Sequence, residues 1–197
     1  MTILELDLLD RAVKGDDEAF QEIVEAYQNP VFHLCYRMLG NMEDAEDAAQ
    51  ESFWKAYQAI KKYDKVRSFA TWILSITAHH CIDRLRKRRL PSFSIELLPE
   101  EAAPDFSPTP EDIVTRSEVD QLVRNLVIEL KPEDRAVIIL RYWYDMSEQE
   151  IASTLSMSIS ALKSRLHRAR KYLARAYSGM QSPYSRAGEI QHEPSTL

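Results

Sequence analysis

Six side chains able to hold a polyanion, Lys163, Arg165, His167, Arg168, Arg170 and Lys171, fall within nine residues, with Ile159, Leu162, Leu166 and Leu173 at helical spacing among them. On a helix, the apolar residues would anchor one face to its own domain. The cations would occupy the rest, where they can meet guanine edges or phosphate oxygens. A second block is of a different kind. Lys61, Lys62, Lys65 and Arg67, then Arg84 through Arg89, are interleaved with Tyr63, Phe69 and Trp72. Phosphate-binding charge beside stacking rings is what single-stranded nucleic acid requires, although Phe69 and Trp72 at helical spacing read equally as core. A third pattern is acidic: Asp44, Asp47, Gln50 and Glu51 form a polar stripe, opposite Ala45, Ala48, Ala49 and Phe53.

The elements that must position these groups are helices. Apolar residues recur every three or four positions over 5–28, with a break at Gly15-Asp16-Asp17, and Pro30 is predicted to open the next helix. Gly40 closes that helix, and Asn41 caps one that runs to about Tyr57. Residues 61–68 read as a polar loop, and Ser68 as the cap of a helix from Phe69 to about Arg89. Cations at its end also favour the helix dipole, so part of that run has a structural explanation. Five prolines (91, 99, 104, 108 and 110) lie within 20 residues beside Glu96, Glu100, Glu101 and Asp105. Such a segment cannot bury enough surface to fold alone, which makes it a flexible acidic linker. Helices are expected at about 111–129, started by Pro110, and at 133–144. Ser147-Glu148-Gln149-Glu150 has the form of a capping box for a short helix. A longer one, capped by Ser158, follows to about Tyr177. The fold class is all-α: two small helical domains (1–90 and 111–177), a linker (91–110) and a disordered tail (178–197). The second domain has four helices and ends in a helix-turn-helix, whose second helix would enter a major groove.

Composition agrees. Four glycines in 197 residues argue for helices over a turn-rich sandwich. The net charge of −6 hides a strong asymmetry: −8 over residues 1–64, +6 over 65–90, −6 over 91–112, −3 over 113–162 and +5 over 163–197. Two basic blocks in an acidic chain fit nucleic acid better than the total suggests. No apolar run approaches the roughly 20 residues of a membrane span, and the acidic start is unlike a basic signal peptide. A cytoplasmic protein without membrane insertion is expected. Cys35 and Cys81 are far apart in sequence and are expected to stay unlinked. His33 with Cys35, and His79, His80 and Cys81, have poor spacing for a metal, so neither metal nor cofactor is expected. Carboxylate pairs occur without a companion nucleophile, and no glycine-rich phosphate loop is present, so no enzyme is expected.

Residues 36–57 (YRMLGNMEDAEDAAQESFWKAY), 69–89 (FATWILSITAHHCIDRLRKRR) and 130–173 (LKPEDRAVIILRYWYDMSEQEIASTLSMSISALKSRLHRARKYL) together resemble the bacterial extracytoplasmic-function sigma factors. The likeness covers about residues 8–90 and 112–175. It implies core RNA polymerase as partner, contacted at the large-subunit clamp helices and flap, and promoter DNA, double- and single-stranded. It also implies a function: promoter-specific initiation of transcription. For the clamp it implies Asp44, Asp47, Gln50, Glu51, Phe53 and Trp54, a stripe suited to a helix of opposite charge. For recognition and melting of the minus-ten element it implies Lys65, Arg67, Ser68, Trp72, Arg84, Arg86, Lys87 and Arg88. For the minus-thirty-five element it implies Ser160, Ala161, Lys163, Ser164, Arg165, His167, Arg168 and Arg170. An anti-sigma partner is left open. The chain departs from the family at 158–163, where Ser-Ile-Ser-Ala-Leu-Lys stands in place of the common Pro-Val-Gly-Thr-Val-Lys. That change bears on which promoter is read.

Two other classes compete. An ordinary helix-turn-helix activator or repressor explains 147–175 equally well, but not the acidic stripe or the aromatic basic block. An adaptor that binds polymerase without DNA leaves both basic blocks idle.

Overall fold

The computed structural model describes residues 3–64, 67–89 and 120–185. Helix α1 (Ile3–Val13) ends at Gly15, whose φ of +96° suits glycine. Asp16 then caps α2 (Asp17–Leu39), accepting from the Ala19 N–H at 3.1 Å and from Arg11 Nε at 2.8 Å. Pro30 does not open a helix. It lies inside α2, where its missing N–H costs one backbone bond. Buried Val31, Leu34, Cys35 and Met38 carry the helix past it. Gly40 closes α2 in the left-handed region, its N–H donating to the Tyr36 carbonyl at 2.9 Å.

Asn41 caps α3 (Met42–Ala59) through the Asp44 N–H at 2.8 Å. A 3-10 turn, Ile60–Lys62, leads to Tyr63. Helix α4 (Phe69–Arg89) is started by Ser68, whose Oγ accepts from the Thr71 N–H at 3.2 Å. Helices α2, α3 and α4 pack on one another, with the small residues Ala45, Ala48, Ala49 and Ala56 buried on α3, Leu34 on α2, and Ile73 and Ala78 on α4. Cys35 and Cys81 meet in this core. Both are free, with the Cys81 thiol donating to Cys35 Sγ at 3.7 Å, and that contact and burial push the Cys35 thiol up.

Of the helix expected over 111–129, residues 120–128 are described and helical (α5). The start near Pro110, the linker and the last twelve residues lie outside the described residues. Helix α6 (Pro132–Tyr142) has Pro132 in its first turn and buries Val137, Ile138, Ile139 and Leu140 in succession. No amphipathic stripe can do that. Helix α6 is enclosed because α2, α4, α7 (Glu148–Thr154) and α8 (Ile159–Ser185) all pack on it. The capping box forms as expected, with Ser147 N–H to Glu150 at 2.8 Å and Glu150 N–H to Ser147 Oγ at 3.2 Å. Helix α8 corrects the reading of the tail: 178–185 are helical. The helix runs on through Gly179 and Pro183, the residues that suggest a stop, and the Ser178 hydroxyl donates back to the Ala174 carbonyl at 2.9 Å.

The two halves share one hydrophobic core. Tyr144 donates its hydroxyl to the Pro30 carbonyl at 2.6 Å, and Ser75 to the Thr154 carbonyl at 2.7 Å. Arg124 donates to the Tyr36 hydroxyl at 2.8 Å. Buried Arg135 bonds the carbonyls of Met38, Ile128 and Leu130.

Candidate nucleic-acid interface and docking face

In the second half, α7 and α8 form the expected helix-turn-helix. Their turn passes through Ser156 at φ +51°, with the Met157 N–H donating to the Ala152 carbonyl at 2.9 Å. Ser158 caps α8 through the Ala161 N–H at 3.2 Å. Leu162, Leu166 and Ala169 are buried, and this rotational setting leaves Ser160, Ala161, Lys163, Ser164, His167 and Arg168 exposed on the outer face. Lys163 is 64% exposed and lies 3.6 Å from Glu148. Two residues expected on that face are held elsewhere. Arg165 turns back onto α6, 2.6 Å from Asp134 and 3.9 Å from Glu133. Arg170 donates to the Tyr142 hydroxyl at 2.8 Å and lies over its ring.

In the first half, Trp72 is packed away, only 8% exposed, in a cluster with Tyr63 and Phe69 at 5.4 Å from each. Its ring lies tilted at 52° to Tyr63 and at 41° to Phe69, as part of the core. The cluster ties the loop to α4: the Tyr63 hydroxyl donates to the Arg67 carbonyl at 2.6 Å, and Ser68 stays exposed beside it. Lys65 lies outside the described residues. Of the cations near the end of α4, Lys87 is exposed, whereas Arg84 binds Asp44 at 2.6 Å and Asp47 at 3.4 Å. Arg88 also binds Asp44, and Arg86 reaches Glu133 of the other half at 2.7 Å.

Asp44 is therefore not part of a solvent stripe. Its side chain is only 14% exposed. Burial alone would raise its carboxyl, but the Arg88 guanidinium, the Asn41 amide and Arg84 more than reverse this and hold it at about 2. The exposed face of α3 includes Asp47 (59% exposed), Gln50, Glu51 (57%) and Trp54 (61%), with Phe53 half-buried beneath. Sequence reading missed how far this face extends. Tyr57, 40% exposed, stacks on Trp54 at 5.9 Å, and its hydroxyl donates to Asp17 at 2.7 Å. Its place three residues after Trp54 was the available signal.

The all-helical chain thus presents an exposed cationic helix behind a tight turn and, apart from it, an acidic-aromatic face. Residues 23–90 match the Sigma-70 region 2 family, and residues 120–173 match Sigma-70, region 4. The chain is 37% identical over 168 residues to the ECF RNA polymerase sigma factor SigW of Bacillus subtilis (strain 168), spanning 81% of this chain and 89% of that one. It is 33% identical over 173 residues to the ECF RNA polymerase sigma-E factor of Escherichia coli (strain K12), spanning 83% and 89%. Its fold is like that of CnrH in complex with the cytosolic domain of CnrY (TM-score 0.64, 24% identity, 87% of this chain and 96% of that chain). It is also like that of the sigma factor RpoE in complex with the anti-sigma factor NepR from Bartonella quintana (TM-score 0.59, 20% identity, 81% and 96%). The chain belongs to the extracytoplasmic-function group of the sigma-70 family, whose members are non-catalytic factors for promoter-specific initiation by RNA polymerase.

Proposed function

We propose that this cytoplasmic sigma factor divides its work among three surfaces. Residues 1–90 dock on the polymerase clamp and open the minus-ten element, residues 111–177 read the minus-thirty-five element and contact the flap, and 91–110 joins them as a linker. The observation that carries the docking assignment is the α3 face, where Asp47, Gln50, Glu51, Trp54 and Tyr57 stand exposed together while every residue behind them is packed. Asp47 and Glu51 beside stacked rings suit a cationic helix with apolar flanks, because the rings supply buried area and the charges supply orientation.

On α8, Ser160, Ala161, Lys163, Ser164, His167 and Arg168 face the groove. Lys163 and Arg168 carry charge to bases or phosphates, and Ala161 offers a methyl group where a hydroxyl is common. Arg165 ties that helix to α6 from behind, and Arg170 ties it at the surface to Tyr142. On the first half, the backbone near Arg67 and Ser68 forms the wall that receives an extruded base, and Lys87 with Lys65 anchors phosphate. Trp72 braces that wall from within. The two structural relatives were solved with CnrY and with the anti-sigma factor NepR, which makes an anti-sigma factor the candidate regulator of this chain.

The test is competition for core polymerase. Reversing charge with D47K/E51K should weaken binding to core enzyme while stability changes by less than about 0.5 kcal/mol, as is usual for solvated positions. A double variant that competes as well as the parent does would remove α3 from the docking surface.

A further inference from the structure

Glu51 and Lys55 are one turn apart on α3, with the acid N-terminal to the base, the spacing and order that favour a side-chain ion pair on a helix. Such a pair would neutralise one of the carboxylates on the docking face. No ion pair joins them among the described residues. Lys55 Nζ instead meets Nδ1 of His80, on α4, at 2.5 Å. An ammonium only donates, so Nδ1 is the acceptor and the ring proton sits on Nε2. Nε2 is buried and lies 3.2 Å from Glu51 Oε2, out of line for a full hydrogen bond.

We propose that His80 is a positioning residue for polymerase docking: it draws Lys55 away from Glu51 and offers that carboxylate a neutral N–H, so that Glu51 keeps its charge for the partner. The inference rests on the assignment of α3 as the docking face. His80 is 9% exposed, so the ring is fixed by packing. Burial, and then the Lys55 ammonium, hold its basicity below that of an ordinary histidine, which keeps it neutral at neutral pH. With the imidazole gone, nothing in this arrangement keeps Lys55 from turning one helical turn back onto Glu51.

Affinity of the full-length chain for core polymerase, measured with its association rate at two salt concentrations, tests this directly. H80L should weaken binding roughly two- to fivefold, the size of an exposed ion pair, with most of the loss in association rate and a shallower salt dependence. K55Q added to H80L should restore the parental affinity, because no cation is left to quench Glu51. H80Q, which can accept from Lys55 and donate to Glu51 at once, should bind like the parent. E51Q should weaken binding by itself, and H80L should add nothing to it. Unchanged affinity in H80L, or a defect that K55Q leaves unrepaired, would overturn the proposal, the second pattern marking His80 as part of the core alone. Parental binding by E51Q would strike at the docking face itself and remove the ground on which the proposal stands.

Discussion

Asp44 accepts hydrogen bonds from Asn41, Arg84 and Arg88, and its carboxyl falls from 3.8 to about 2 as a result. A depressed carboxylate stabilises the fold fully above its unfolded value, and that contribution is lost as pH falls from 3.8 through about 2. D44N should therefore cost about 1 kcal/mol at neutral pH, once solvent screening at the open edge of the cluster is allowed for. Thermal melts of the variant should change less with pH between 4 and 2 than those of the parent. The sequence displays Asp44, Asp47, Gln50 and Glu51 as one stripe, and a helical wheel cannot reveal that Arg84 and Arg88, some 40 residues on, close over the first of them. Arg165 was hidden in the same way, because Asp134 is 31 residues away. This difference gives a paired prediction: R165A should lower stability by about 1 kcal/mol through its lost bond to Asp134. K163A, at a position 64% exposed, should leave stability unchanged and lower promoter-specific transcription.

At the level of elements, caps were the most legible feature. Asp16, Asn41, Ser68, Ser147 and Ser158 each accept a backbone N–H three residues on, a strictly local relation that the sequence carries in full. Pro30 and the end of α8 were not legible: at Pro30 tertiary burial overrides a proline's local cost, and α8 runs through Gly179 and Pro183, the residues that signal a stop. The enclosure of α6 was equally hidden: the run Ala136–Leu140 shows it is apolar but not which helices surround it. The turn between α7 and α8 places Ser156 at φ +51°, where a side chain costs on the order of 1–2 kcal/mol. Glycine removes that strain and gives back part of it in unfolded-chain entropy. S156G should thus stabilise the protein by about 0.5 kcal/mol in denaturant titrations, with no loss of minus-thirty-five recognition.

Across the whole molecule, charge decides how the surfaces are used. The chain carries −6 overall, and several cations of the basic blocks are bound internally: Arg84 and Arg88 by Asp44, Arg86 by Glu133, Arg165 by Asp134. Attraction to phosphate depends on uncompensated cations, so the free protein should bind core polymerase far more tightly than promoter duplex at physiological salt. The two-domain composition and both basic blocks were legible in the sequence. The packing of one half on the other was not, because Tyr144–Pro30 and Ser75–Thr154 join residues 114 and 79 positions apart. The most direct measurement of the whole reading is transcription from genomic DNA of the source organism by core polymerase, with and without the chain, followed by mapping of RNA 5′ ends. New start sites that share two upstream motifs at fixed spacing are the expected result. Start sites indistinguishable from those of core enzyme alone, together with tight binding of the free chain to duplex DNA, would contradict it and restore an ordinary helix-turn-helix regulator.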